Sequence, residues 1–102
     1  MEVITQYARE QIANYIKSEL HEAVLTIDGT EEIFDLYDLI LEGELLKVYI
    51  LLDKQVGGDI TKVQVNDESD NVWLERDDDI DKPQDKLLLL SFRLTVSEEV
   101  VT

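Results

Sequence analysis

The apolar positions of the chain change their period once, near residue 21. Over residues 3–20 they fall at Ile4, Tyr7, Ala8, Ile12, Tyr15, Ile16 and Leu20, the three-and-four spacing of a helix that buries one stripe. Arg9, Glu10, Asn14, Lys17 and Ser18 supply its polar side, and neither Gly nor Pro interrupts it. Strand patterns follow. Ala23, Leu25 and Ile27 alternate ahead of Asp28-Gly29, a tight-turn pair. Residues 45–53 contain Val48-Tyr49-Ile50-Leu51-Leu52, apolar on both faces as in a central strand. Gly57-Gly58 marks a loop or hairpin turn. Residues 60–65 then place Thr61, Val63 and Val65 on one face and Lys62 and Gln64 on the other. A polar turn over 66–71 returns the chain antiparallel through 72–76. Residues 77–85 read as a connecting loop in which Pro83 holds Lys82 extended.

A long core strand is predicted over 86–96, and the upstream elements are expected to pack on it or pair with it. Leu88, Leu90, Phe92, Leu94 and Val96 point one way, and Ser91, Arg93 and Thr95 the other. Leu87 and Leu89 fall outside the inward row and need a cover of their own. Residues 97–102 form a short acidic-to-apolar tail.

Residues 30–44 carry two patterns at once. Ile33, Leu36, Tyr37, Ile40 and Leu41 lie at helical spacing behind Thr30 as N-cap, with Glu31 and Glu32 in the first turn and Gly43 as a stop. The competing pattern is a strand over 34–41 joined to 45–52 by a turn at Glu42-Gly43, which makes a simpler meander. Local spacing favours the helix slightly, and both readings stay open. The order of elements predicts one α+β domain over residues 1–102. An N-terminal amphipathic helix over 1–21 precedes a mainly antiparallel β-sheet or small β-sandwich over 22–102.

Charge narrows the functional classes. The 102 residues hold 24 acidic and 9 basic side chains, for a net charge of −15, yet 44% are hydrophobic and only one is Pro. That much apolar content describes a folded body and not a disordered polyanion. Such a charge opposes direct nucleic-acid binding, which depends on Lys and Arg at phosphates, and an anionic membrane surface repels it too. The absence of Cys excludes disulfides and thiolate metal sites. Met1-Glu2-Val3-Ile4-Thr5 lacks the basic and apolar regions of a secretory signal. The apolar runs 48–52 and 87–90 fall far short of the roughly 20 residues that cross a bilayer. A soluble protein is expected.

No constellation meets the requirements of catalysis, and no catalytic, cofactor-binding or metal residue is assigned. Asp77-Asp78-Asp79-Ile80-Asp81 suggests a weak divalent-cation site, because hard cations want converging carboxylates. An EF-hand loop from Asp77 would place Lys82 where Gly is needed and Leu88 where Glu is needed; one from Asp67 would place Val72 and Asp78 there. A solvated charged loop is the simpler reading. His21, the single imidazole, has no Ser or Cys nucleophile beside it and suits the negative end of the helix dipole. Gly57-Gly58 lacks the spacing and the Lys of a phosphate loop. Trp73, between Val72 and Leu74, is expected in the core or at an interface. The two-faced apolar runs leave a choice between a sandwich and a second chain as cover, and unprotected strand edges would favour homo-oligomerisation.

Leu25-Thr26-Ile27-Asp28-Gly29-Thr30-Glu31, Lys47-Val48-Tyr49-Ile50-Leu51-Leu52-Asp53, Gly58-Asp59-Ile60-Thr61-Lys62-Val63, the turn to Asn71-Val72 and Lys82-Pro83 before the final apolar strand, all behind an N-terminal helix, form an arrangement that spans most of the chain. It resembles small structural proteins of the tail region in phages and prophages of Gram-positive bacteria. The resemblance implies a non-enzymatic tail accessory protein, located in a virion or the host cytoplasm, that associates with itself or with other phage structural proteins. It also favours the strand over 34–41. The alternative is an acidic inhibitor that mimics nucleic acid. Glu31, Glu32, Asp35, Asp38, Glu42, Glu44, Asp67, Glu68, Asp70, Glu75, Asp77, Asp78, Asp79 and Asp81 would stand in for phosphates in the basic cleft of a host nuclease or another DNA-binding protein.

Overall fold

Thr5 starts the helix: its Oγ1 accepts from the Ala8 N–H at 3.1 Å, which satisfies one of the donors that a helix leaves open at its N-terminus. The structure, a computed structural model, describes residues 3–96; the predicted tail over 97–102 lies outside them. Helix α1 runs Gln6–Glu19 and ends where Leu20 turns extended and enters the core. The His21 N–H then donates to Asn66 O at 2.8 Å, which docks the following strand.

Seven strands follow: β1 Glu22–Ile27, β2 Thr30–Asp35, β3 Asp38–Glu42, β4 Leu45–Leu52, β5 Gly58–Asn66, β6 Val72–Lys82 and β7 Leu88–Thr95. They form an α+β sandwich of a four-stranded sheet in the order β2-β1-β5-β6 and a three-stranded sheet in the order β3-β4-β7. All pairings are antiparallel. The core lies between the sheets. Ala23, Leu25, Ile27, Ile60, Val63 and Val65 enter it from one side, and Leu46, Val48, Ile50, Leu52 and Leu90 from the other.

Residues 30–44 are strands, against the slight local preference for helix. The chain breaks at Leu36-Tyr37 to pass from one sheet to the other, where the Tyr37 N–H donates to Tyr49 O at 2.8 Å. Pairing with β1 and β4 satisfies the backbone in ladders that local spacing does not reveal. Residues 77–82 are strand as well, where a loop was expected: β6 continues opposite Asp59 and Gly58 as far as Lys82.

Three further corrections follow from packing. A bulge beside Thr26 brings Ile60 into the core and leaves Thr61 exposed. The strand expected over 86–96 sends Leu88, Leu90, Phe92 and Leu94 toward the core as predicted, but it lies at an edge and pairs only with β4. The helix packs along a narrow seam of Ala13, Ile16 and Leu20, while Tyr7, Ile12 and Tyr15 remain exposed. It meets the sandwich near the β3–β4 turn, where the small Ala13 permits close approach and Arg9 pairs with Glu44 at 2.6 Å.

Candidate interaction faces

Each sheet has an outer face, and the two differ in chemistry. On the three-stranded sheet the strand period turns Ile40, Leu45, Tyr49, Leu51 and Leu89 outward together with Lys47 and Arg93 and the acidic Asp38 and Glu42. Leu89 is 51% exposed, and Leu87, just before the strand, is 60% exposed. The sandwich covers the inward row of β7 but leaves both of these leucines in solvent. Lys47 and Arg93 sit directly opposite one another in neighbouring strands, an arrangement that like charges disfavour. Glu42 offsets Lys47 at 3.2 Å, whereas Arg93 has no ion-pair partner among the described residues.

The outer face of the four-stranded sheet is acidic. Ile33 of the edge strand β2 pairs with Val24 of β1 as its apolar part, with Glu31, Asp35 and Glu22 beside them and Glu75 and Asp77 on β6 at the opposite edge. Lys62 lies opposite Asp77 and 3.7 Å from Glu75. Along β6 the exposed alternate positions are Glu75, Asp77, Asp79 and Asp81, a row repeating every 6–7 Å or about two strand residues.

The sequence-selected residues occupy separate places. Asp77, Asp79 and Asp81 point away from Asp78, which instead holds Arg76 at 3.0 Å. Among the described residues no group of three or more His, Cys, Asp or Glu is placed to hold a metal. His21 lies at the rim of a polar cavity of about 290 Å³ between the helix end and the β5–β6 turn, with Glu19, Asp67 and Glu68 also in its wall. Trp73 is half-buried against the core, tilted against Tyr15 with ring centroids 6.2 Å apart. Its Nε1–H donates to Asp67 Oδ2 at 2.9 Å. That bond, followed by the Asn71 N–H, lowers the Asp67 pKa from 3.8 to about 2.

Lys82 was not singled out by its sequence position. It is 3% exposed at the end of the sandwich away from the helix. Its Nζ donates to Asp53 O at 2.8 Å, Lys86 O at 2.6 Å, Pro83 O at 3.3 Å and Val56 O. One ammonium group thus ties together the loops that connect the two sheets. The alternating acids of β6 were a readable strand signal, but the density of charge favoured a loop.

Among the described residues no helix is long and apolar enough to cross a membrane. No protein-family model, curated protein or solved structure matches the chain.

Proposed function

We propose that this is a non-enzymatic structural and interaction protein, a virion accessory protein of the phage or prophage tail type, acting through self-association and contacts with other structural proteins. The observation that carries the reading is the pair Leu87 and Leu89, both largely exposed, with Leu89 opposite Leu51 on the outward side of the three-stranded sheet. Contiguous apolar surface of this kind marks association sites in soluble proteins. The place of work that follows is the virion or the host cytoplasm. Light scattering across protein and salt concentrations tests the reading: the mass is expected to exceed the 11.8 kDa monomer and stay above it as salt rises. A strict monomer under every condition overturns it.

The row Glu75, Asp77, Asp79 and Asp81 favours a second reading, an acidic mimic of nucleic acid that occupies the cleft of a nuclease or another basic DNA-binding protein. A regular line of carboxylates complements a line of Lys and Arg. That binding would collapse with added salt, because exposed charges are screened within about 8 Å at physiological ionic strength. Titration of the protein against a panel of nucleases at low and high salt separates the two readings.

A further inference from the structure

We propose that the open edge of β2 receives an extended cationic segment of a partner protein, added as a further strand beside Glu31, Ile33 and Asp35. The inference concerns a different surface from Leu87 and Leu89, so it stands or falls apart from self-association through those residues.

The strand edge selects an extended backbone. The two-residue turn Asp28-Gly29 makes Ile27 and Thr30 a hydrogen-bonded pair, and such pairs alternate along an antiparallel ladder. Thr30, Glu32 and Phe34 therefore turn their backbone groups to β1, whereas the N–H and C=O groups of Glu31, Ile33 and Asp35 point to the open side. β2 is the outermost strand of its sheet and keeps regular register with β1 over all 6 of its residues. The other edges are blunted. On β3 the Asp38 carboxylate takes the Leu39 N–H at 2.8 Å. On β7 the Arg76 guanidinium takes the Ser91 carbonyl at 2.8 Å, and the register of β6 shifts twice along β5.

Charge and pattern select the side chains of the partner. The residues that carry the open backbone groups also turn their side chains to the outer face, in the order acid, apolar, acid. Ile33 is 65% exposed, and neither Glu31 nor Asp35 has an ion-pair partner among the described residues. An added strand sets its alternate side chains directly beside these three. The fitting segment therefore carries Lys or Arg, an apolar residue, and Lys or Arg at every second position. In this mode of recognition main-chain bonds supply affinity and the alternate side chains supply specificity. A second copy of β2 is disfavoured as the added strand, because antiparallel pairing about Ile33 would set Glu31 against Asp35 of the other copy. The net charge of −15 adds long-range attraction for a basic partner.

The test titrates the full chain at low salt with the peptide Thr-Lys-Thr-Val-Thr-Lys-Thr, blocked at both ends, whose order reads the same in either direction. Amide exchange followed by NMR is the readout. Exchange at Glu31, Ile33 and Asp35 is expected to slow at least about fivefold on saturation, while Thr30, Glu32 and Phe34, already bonded to β1, do not change. The isomeric peptide Thr-Thr-Lys-Lys-Val-Thr-Thr, with its cations on opposite faces, is expected to bind about tenfold more weakly. Glu31→Lys with Asp35→Lys is expected to reject the first peptide and to bind Thr-Glu-Thr-Val-Thr-Glu-Thr in its place, which also shows that the variant folds. Equal binding of the two lysine peptides, or binding that leaves the three amides unprotected, reduces the contact to surface charge and overturns the proposal. Failure of the wild type to bind the first peptide overturns it as well. A strictly monomeric wild type that protects these amides would overturn self-association and leave the β2 edge standing.

Discussion

Arg76 of β6 lies over the ring of Phe92 of β7, 4.6 Å from its centroid, and so joins the edge strands of two different sheets. The same guanidinium donates through Nη1 to Ser91 O at 2.8 Å and through Nε to Asp78 at 3.0 Å. This clasp closes the side of the sandwich where β6 and β7 share no ladder. Replacement Arg76→Ala is expected to cost about 2 kcal/mol, the worth of a part-exposed charged hydrogen bond with a cation–π contact. Arg76→Lys should lose most of that, because an ammonium group lacks the planar fork. Urea denaturation measures the loss, and faster amide exchange in β7 would place it at the clasp.

Lys82 closes the end of the sandwich with four carbonyl partners. Lys82→Met keeps the length of the side chain and removes every one of those bonds. Buried acceptors left unpaired cost about 1–3 kcal/mol each before water relieves them, so a loss on the order of 3 kcal/mol is expected in thermal or urea unfolding. A loss under about 1 kcal/mol would show that the 53–57 and 83–87 loops hold their positions without the ammonium group.

Asp67 gives stability a definite dependence on acid. Its pKa is lowered from 3.8 to about 2, first by the Trp73 Nε1–H bond and then by the Asn71 N–H. A carboxyl depressed in the folded state favours folding above its unfolded pKa and loses that contribution as pH falls through the folded value. The contribution is therefore full above about pH 4 and disappears toward pH 2. The Trp73 Nε1–H resonance should titrate with a midpoint near 2, and Asp67→Asn should remove that transition. A midpoint at the ordinary carboxylate value would exclude the bond as its cause.

Gly29 in the β1–β2 turn and Gly58 at the start of β5 separate backbone strain from crowding. Gly29 has φ +81° with open space around an added Cβ, whereas Gly58 has φ +135° and its Cβ would meet Ile27 Cγ2 at 2.8 Å and the Asp28 carboxylate. Gly29→Ala is expected to cost about 1 kcal/mol, the penalty of a left-handed backbone. Gly58→Ala should cost at least about 2 kcal/mol, because it adds crowding against β1 to that strain. Parallel thermal melts read the difference, and equal losses would show that Asp28 moves aside freely.

Much of the architecture was legible because it is written in local periods. The inward row of β7, the Asp28-Gly29 turn with φ of 51° and 81°, and the apolar β4 all follow from spacing or turn chemistry. Residues 30–44 were not legible, since Ile33, Leu36, Tyr37, Ile40 and Leu41 satisfy a helical stripe as well as two short strands. Residues 77–82 failed for the opposite reason. Five charges in six positions hide a strand whose Ile80 alone marks the core side.

The sequence by itself determined the α+β class, an N-terminal helix ahead of the strands, the acidic character of the surface and the need for two-sided burial of the apolar strands. These are properties of composition and of neighbours along the chain. Only the tertiary structure decided which strands pair, that Lys82 is buried among carbonyls, and that Lys47, Arg93, Asp38 and Glu42 share one outer face while Lys62 and the outward carboxylates of β1, β2 and β6 share the other. Those relations join residues far apart in sequence through sheet register, and register is fixed by long-range pairing that no local pattern contains.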